Sequence, residues 1–247
     1  MSRTEERLTA GHLVGIFLVS AAALLLEVCL TRLLAVALWY HFAFMIISGG
    51  LLGFGAAAVM VSLWSKVRDA PLDRTLAAVA ASMAIAVVLC FSLAQLIPLQ
   101  PFDLAESRGQ VFYFALTFLL LSFPFFLAGI VISLLLSRLV KSVTVLYALD
   151  LAGAGIGSVL SLLLLSWVGA MTSLVLAAAL AGGAAAALAW PLGRKARIGG
   201  LAITALLAIL SISADDWMPL HVSENKGLGR AEDRITRWSA VGRVDLV

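Results

Sequence analysis

Apolar residues in this chain arrive in blocks of about 20, separated by short charged or proline-bearing breaks, with neither the alternation of a strand nor the stripe of a soluble amphipathic helix. The blocks predict spans near 12–38, 42–65, 75–97, 111–136, 143–167, 170–190 and 198–213. A helix of about 20 residues crosses a hydrocarbon core of about 30 Å. The expected fold class is therefore an all-α integral membrane protein. It is a bundle of about seven transmembrane helices, preceded by residues 1–11 and followed by a short polar C-terminal tail over 214–247. Tryptophan, which favours the membrane–water boundary, agrees with this division. Trp39, Trp64, Trp167, Trp190 and Trp217 fall at or just beyond the expected ends, and Trp238 lies in the tail.

Composition makes lipid the solvent. Hydrophobic residues are 62% of the chain and charged ones 13%, with a mean hydropathy of +1.07, against about half and about a quarter in a soluble domain. The net charge of +3 points to topology, because the basic residues sit in short loops and form no stripe interleaved with stacking aromatics. Nucleic acid is accordingly not expected as a partner. Arg3 and Arg7, then Lys66, Arg68 and Arg74, then Arg138 and Lys141, then Arg194, Lys195 and Arg197 fall on one side, with Arg108 on the other. That pattern predicts a cytoplasmic N-terminus in a cell membrane. The last block, of about 16 residues or about 24 Å as helix, decides on which side the tail emerges. A cleaved signal peptide is not expected, because the first block is too long and is interrupted by Glu27 and Arg32.

Candidate chemistry is sparse. A carboxylate near the middle of a span costs about 2.5–3.5 kcal/mol on insertion scales, so Glu27 is expected to face the bundle interior. It serves there either as a proton relay, cation site or substrate contact, or as a hydrogen-bonded packing residue. Arg32, five positions on and about 140° around the helix, is a poor partner for Glu27 and is placed to reach the headgroups. Asp150 lies about two turns into its span, and a direct relay with Glu27 is not expected. Gly153-Ala-Gly155-Ile-Gly157 echoes a dinucleotide loop but lacks the preceding strand. Gly153 with Gly157, and Gly49 with Gly53, read as close helix-packing motifs. Pro124 predicts a kink in the fourth span. Cys29 and Cys90 lie in apolar blocks, and His12 and His41 have no nearby second ligand. No catalytic, cofactor or metal motif is expected within this chain.

Several stretches resemble the membrane-spanning N-terminal region of multi-pass spermidine-synthase-like bacterial proteins, in which a helical bundle precedes a domain similar to polyamine aminopropyltransferases. They are Leu24-Leu-Leu-Glu-Val-Cys-Leu-Thr-Arg-Leu-Leu34, Phe123-Pro-Phe-Phe-Leu-Ala-Gly-Ile-Val131 and Tyr147-Ala-Leu-Asp-Leu-Ala-Gly-Ala-Gly-Ile-Gly157. In the tail, Asn225-Lys-Gly-Leu228 and Arg237-Trp-Ser-Ala-Val-Gly-Arg-Val-Asp-Leu-Val247 look like the lead-in and first strand of the synthase-like α/β domain. The resemblance implies a bundle in the bacterial inner membrane that anchors, or supplies substrate to, a transferase-like domain. The family's glycine-rich cofactor loop and catalytic aspartate have no counterpart here, so no catalytic residue carries over. The chain is accordingly expected to be a fragment or a truncated product; were the protein to end at Val247, residues 243–247 would be an unpaired edge strand. Two rivals stand beside this reading: a transporter of a small cation such as a polyamine, motivated by Glu27 and Asp150, and a ligand-free membrane scaffold. S-adenosyl cofactors are cytoplasmic, whereas seven crossings from a cytoplasmic N-terminus deliver the tail outside.

Overall fold

The computed structural model describes residues 7–37, 42–100, 104, 107–218, 235–238 and 243–246. Its long helices are α1 (Ala10–Ala37), α2 (Ala43–Leu63), α4 (Leu72–Leu96), α5 (Arg108–Arg138), α6 (Val143–Trp167), α7 (Ala170–Leu188) and α8 (Arg194–Ser211). Two single turns, α3 (Ser65–Arg68) and α9 (Ala214–Trp217), accompany them. Helix is forced on such segments because lipid offers the backbone no hydrogen-bond partner. Tight turns join α6 to α7 and α7 to α8 through Gly169 (φ 87°) and Gly193 (φ 98°), in the left-handed region where a side chain is strained.

Six helices among the described residues are long and apolar enough to cross a membrane: α1, α2, α4, α5, α6 and α7. The seventh expected span corresponds to α8, which starts at Arg194 rather than near residue 198. Charge ends an apolar block, but it does not end a helix. For the same reason α5 takes in Arg108 and Arg138, beyond the expected 111–136. Pro124 lies buried inside α5 and forfeits one backbone bond, yet α5 remains a single helix of 31 residues.

Four helices close a central ring in the order α1, α7, α4, α5 and back to α1, with α2 outside α5, α6 outside α1 and α8 outside α7. Of the six apolar helices, α7 is the most buried and α6 the least. Leu25, Leu30, Met83, Phe125, Leu134 and Leu174 fill the interior, while Leu51, Leu63, Leu119, Val159 and Ile209 project outward. Lipid is as apolar as leucine, so the hydrophobic effect does little to join these helices; close packing and polar bonds must do it.

Glycine supplies the closest approaches. A Cβ built on Gly153 would lie 2.3 Å from the Phe17 carbonyl oxygen, and one on Gly157 2.3 Å from that of Ala21. These contacts align α6 parallel to α1. Gly49 meets Ser122 Oγ at 2.5 Å and Gly53 the Phe126 nitrogen at 2.7 Å, which sets α2 parallel to α5. Gly200 against Ala186 and Gly182 against Thr204 set α8 antiparallel along α7.

The starts of α1, α4 and α8 and the ends of α2, α5 and α7 share one end of the bundle. Gly11 abuts the Ala187 carbonyl there, His12 reaches Asp73, and the Arg138 guanidinium donates to the Arg68 carbonyl. The same end carries Lys66, Arg74, Lys141, Arg194, Lys195 and Arg197. At the opposite end, Ser92 Oγ donates to Met218 Sδ at 3.4 Å, just past α9, so α8 runs the length of the bundle.

In the tail, β1 (Ile235–Trp238) pairs antiparallel with β2 (Arg243–Leu246), Trp238 opposite Arg243 and Ile235 opposite Leu246. This corrects the expectation of an unpaired 243–247 edge: the segment just upstream is itself extended and pairs with it. A two-stranded ladder is not an α/β domain. Trp39, His41 and Asn225–Leu228 lie outside the described residues.

Candidate functional site

One line of polar groups runs along α1. Ser20, Glu27 and Thr31 fall within about 40° of one another on a helix of 3.6 residues per turn. Ser20 is buried and its hydroxyl donates to the Asp150 carboxylate from α6. The structure therefore brings Asp150 to α1, where one hydroxyl offsets part of the cost of a carboxyl group at that depth.

Glu27 is half-buried two turns further along the same line, about 10 Å from Ser20 along the axis. Its carboxyl carbon lies 4.0 Å from the Cβ position of Gly50 on α2, and Phe125 of α5 borders the same glycine. The missing side chain at Gly50 makes the space that the carboxyl group faces. Among the described residues its carboxylate has neither a hydrogen-bond nor an ion-pair partner; Thr31 Oγ1 donates to the Glu27 backbone carbonyl at 2.7 Å, an ordinary intrahelical bond. Leu24 lies between Ser20 and Glu27 along the helix, and no hydrogen bond joins Glu27 to Asp150. Arg32 is half-buried on a different side of α1 and makes no ion pair with Glu27.

One turn outward from Gly49 and Gly50, a cavity of about 320 Å³ opens between α2 and α5, lined by Phe42, Phe44, Met45, Ser48, Phe114 and Phe118. Phe42 and Phe114 meet edge to face at 6.1 Å. Glu27 is not among the lining residues; aromatic faces of this kind suit an organic cation better than an anion.

A second polar pair joins helices at the cationic end, and sequence reasoning missed it. His12 Nε2 lies 2.7 Å from Asp73 Oδ1, with the His12 side chain 3% exposed and that of Asp73 35%. The Thr9 amide donates to His12 Nδ1 at 3.3 Å, which leaves Nε2 to carry the proton and donate to Asp73. The two residues are 61 positions apart, and the one sequence signal was that both open spans on the same side. Cys29 and Cys90 are buried free thiols, and no group of three or more His, Cys, Asp or Glu side chains suited to a metal forms among the described residues. No family model, curated protein or solved structure matches the chain.

Proposed function

We propose that this chain is the seven-span membrane domain of a spermidine-synthase-like protein, in the bacterial inner membrane with its N-terminus cytoplasmic, which anchors an aminopropyltransferase-like domain and delivers substrate to it. The observation that carries the reading is the pairing of β1 with β2. Beyond Met218 the described chain turns from helix to strand in the stretch that resembles the lead-in to such a domain. α8 counts as the seventh crossing because its 18 residues span about 27 Å and α9 docks at the far end. The hairpin then emerges on the non-cytoplasmic face, so the attached domain differs from a conventional synthase that draws on cytoplasmic S-adenosyl cofactors.

The test is the mass of the protein isolated from its own membranes with an antibody against residues 98–110. A mass well above 26.0 kDa is expected, with transferase activity towards polyamines in the same fraction. Recovery at about 26.0 kDa would remove the anchoring role.

One observation favours a second reading, passage of a small organic cation such as a polyamine: Glu27 faces Gly50 beneath an aromatic cavity. For uptake across a polyamine series into vesicles, Glu27→Gln is expected to lower the rate about tenfold or more, the scale of losing one charge-assisted contact in low dielectric. Gly50→Leu, which fills the space before the carboxyl group, should act in the same direction, whereas Asp150→Asn, away from that cavity, should leave transport near normal. Unchanged uptake with Glu27→Gln would leave the ligand-free scaffold.

A further inference from the structure

A groove of about 500 Å³ lies at the cationic end between α4, α7 and α8, within the size range of small-molecule sites. It exists because α4 and α8 both pack on α7 but scarcely touch each other. Gly200 draws α8 onto Ala186 of α7, and nothing comparable draws it towards α4. The floor is Ala185 and Ala189, and the walls include Ala77, Ala81 and Gly199. The walls are otherwise apolar; the one charged group on them is Arg74, at the mouth.

Arg74 is exposed and forms no ion pair or hydrogen bond with any described residue. The acid beside it in sequence, Asp73, is engaged by His12 towards α1. The first turn of α8 adds Arg194 and Lys195 at the same end, and Arg197 stacks over Trp190, 4.3 Å from the ring centroid. An aromatic ring of that kind favours the headgroup level. A slot that is apolar at bilayer depth and cationic at its mouth fits one class of occupant. We propose that it holds an anionic phospholipid, with an acyl chain along the alanine floor and the phosphate at Arg74. Basic pockets between membrane helices bind such lipids, and the inference does not depend on which face of the membrane this end occupies.

The full chain, purified in detergent, is to be exposed to equal amounts of phosphatidylglycerol and phosphatidylcholine with identical acyl chains, and retained lipid read by native mass spectrometry. The wild type should retain the anionic lipid about fivefold or more over the zwitterionic one, the scale of one interfacial cation, and Arg74→Gln should abolish the preference. Gly199→Leu should lower retention of both lipids without altering thermal stability, because nothing lies within 4 Å of the Cβ position there. Equal retention by the wild type, an unchanged preference in Arg74→Gln, or undiminished binding in Gly199→Leu would overturn the proposal. So would displacement by free glycerol phosphate, which would identify a headgroup site without a chain groove.

Discussion

Gly157→Leu is expected to separate α6 from α1 and to destabilise the bundle by about 3 kcal/mol or more, the upper end of overpacking costs. The obstruction is backbone. A Cβ at residue 157 would sit 2.3 Å from the Ala21 carbonyl oxygen and 2.9 Å from its Cα, and neither can rotate away as a side chain would. Gly153 meets Phe17 in the same manner one turn earlier, so moving α6 outward to relieve one glycine also loosens the other. The Ser20–Asp150 bond crosses the same interface and would lengthen with it. Gly155→Leu is the control: it lies between the two contacts in sequence, with nothing within 4 Å of its Cβ position, and should change stability by no more than about 0.5 kcal/mol. Unfolding titrations of the purified protein in bicelles would read both. Equal losses for 155 and 157 would mean that helix content, and not the contact with α1, sets the cost.

Asp73→Leu should cost about 2–3 kcal/mol, the penalty for stranding a buried donor. His12 Nε2 carries the proton because Nδ1 already accepts from the Thr9 amide, and at 3% exposure it has almost no access to water. Asp73→Asn keeps a carbonyl acceptor and should recover most of the loss. His12→Leu is expected to be milder than Asp73→Leu, since the Asp73 side chain, 35% exposed, can exchange its partner for water. The order of the three variants in thermal melts at one pH checks the donor assignment. Should His12→Leu prove the costlier change, the proton would have to lie elsewhere or the packing of the ring itself would be the main contribution.

These two effects illustrate why the sequence was readable in some respects and silent in others. The expected 143–167 span is α6 to the residue, and most other ends agree within three positions, because lipid compels any long apolar block to become a helix whatever its neighbours. The errors fell where cations open or close a helix. Arg194, Lys195 and Arg197 looked like a loop but form the first turn of α8, since the headgroup layer accepts charge while the backbone bonds continue. The glycines at 49, 53, 153 and 157 marked close helix approach through their spacing alone, but the spacing does not say against which helix.

By itself, then, the sequence determined which segments form helices long and apolar enough to cross a membrane, since that depends on each segment's own side chains. Tertiary structure alone decided which polar groups meet. Asp150 turns to Ser20, Glu27 faces the gap at Gly50, His12 finds Asp73 across 61 residues, and Arg74 is left at the mouth of a groove. The physical reason is that helix association in lipid depends on shape and on a few polar bonds between distant segments. These interactions leave no periodic trace in the order of residues along the chain.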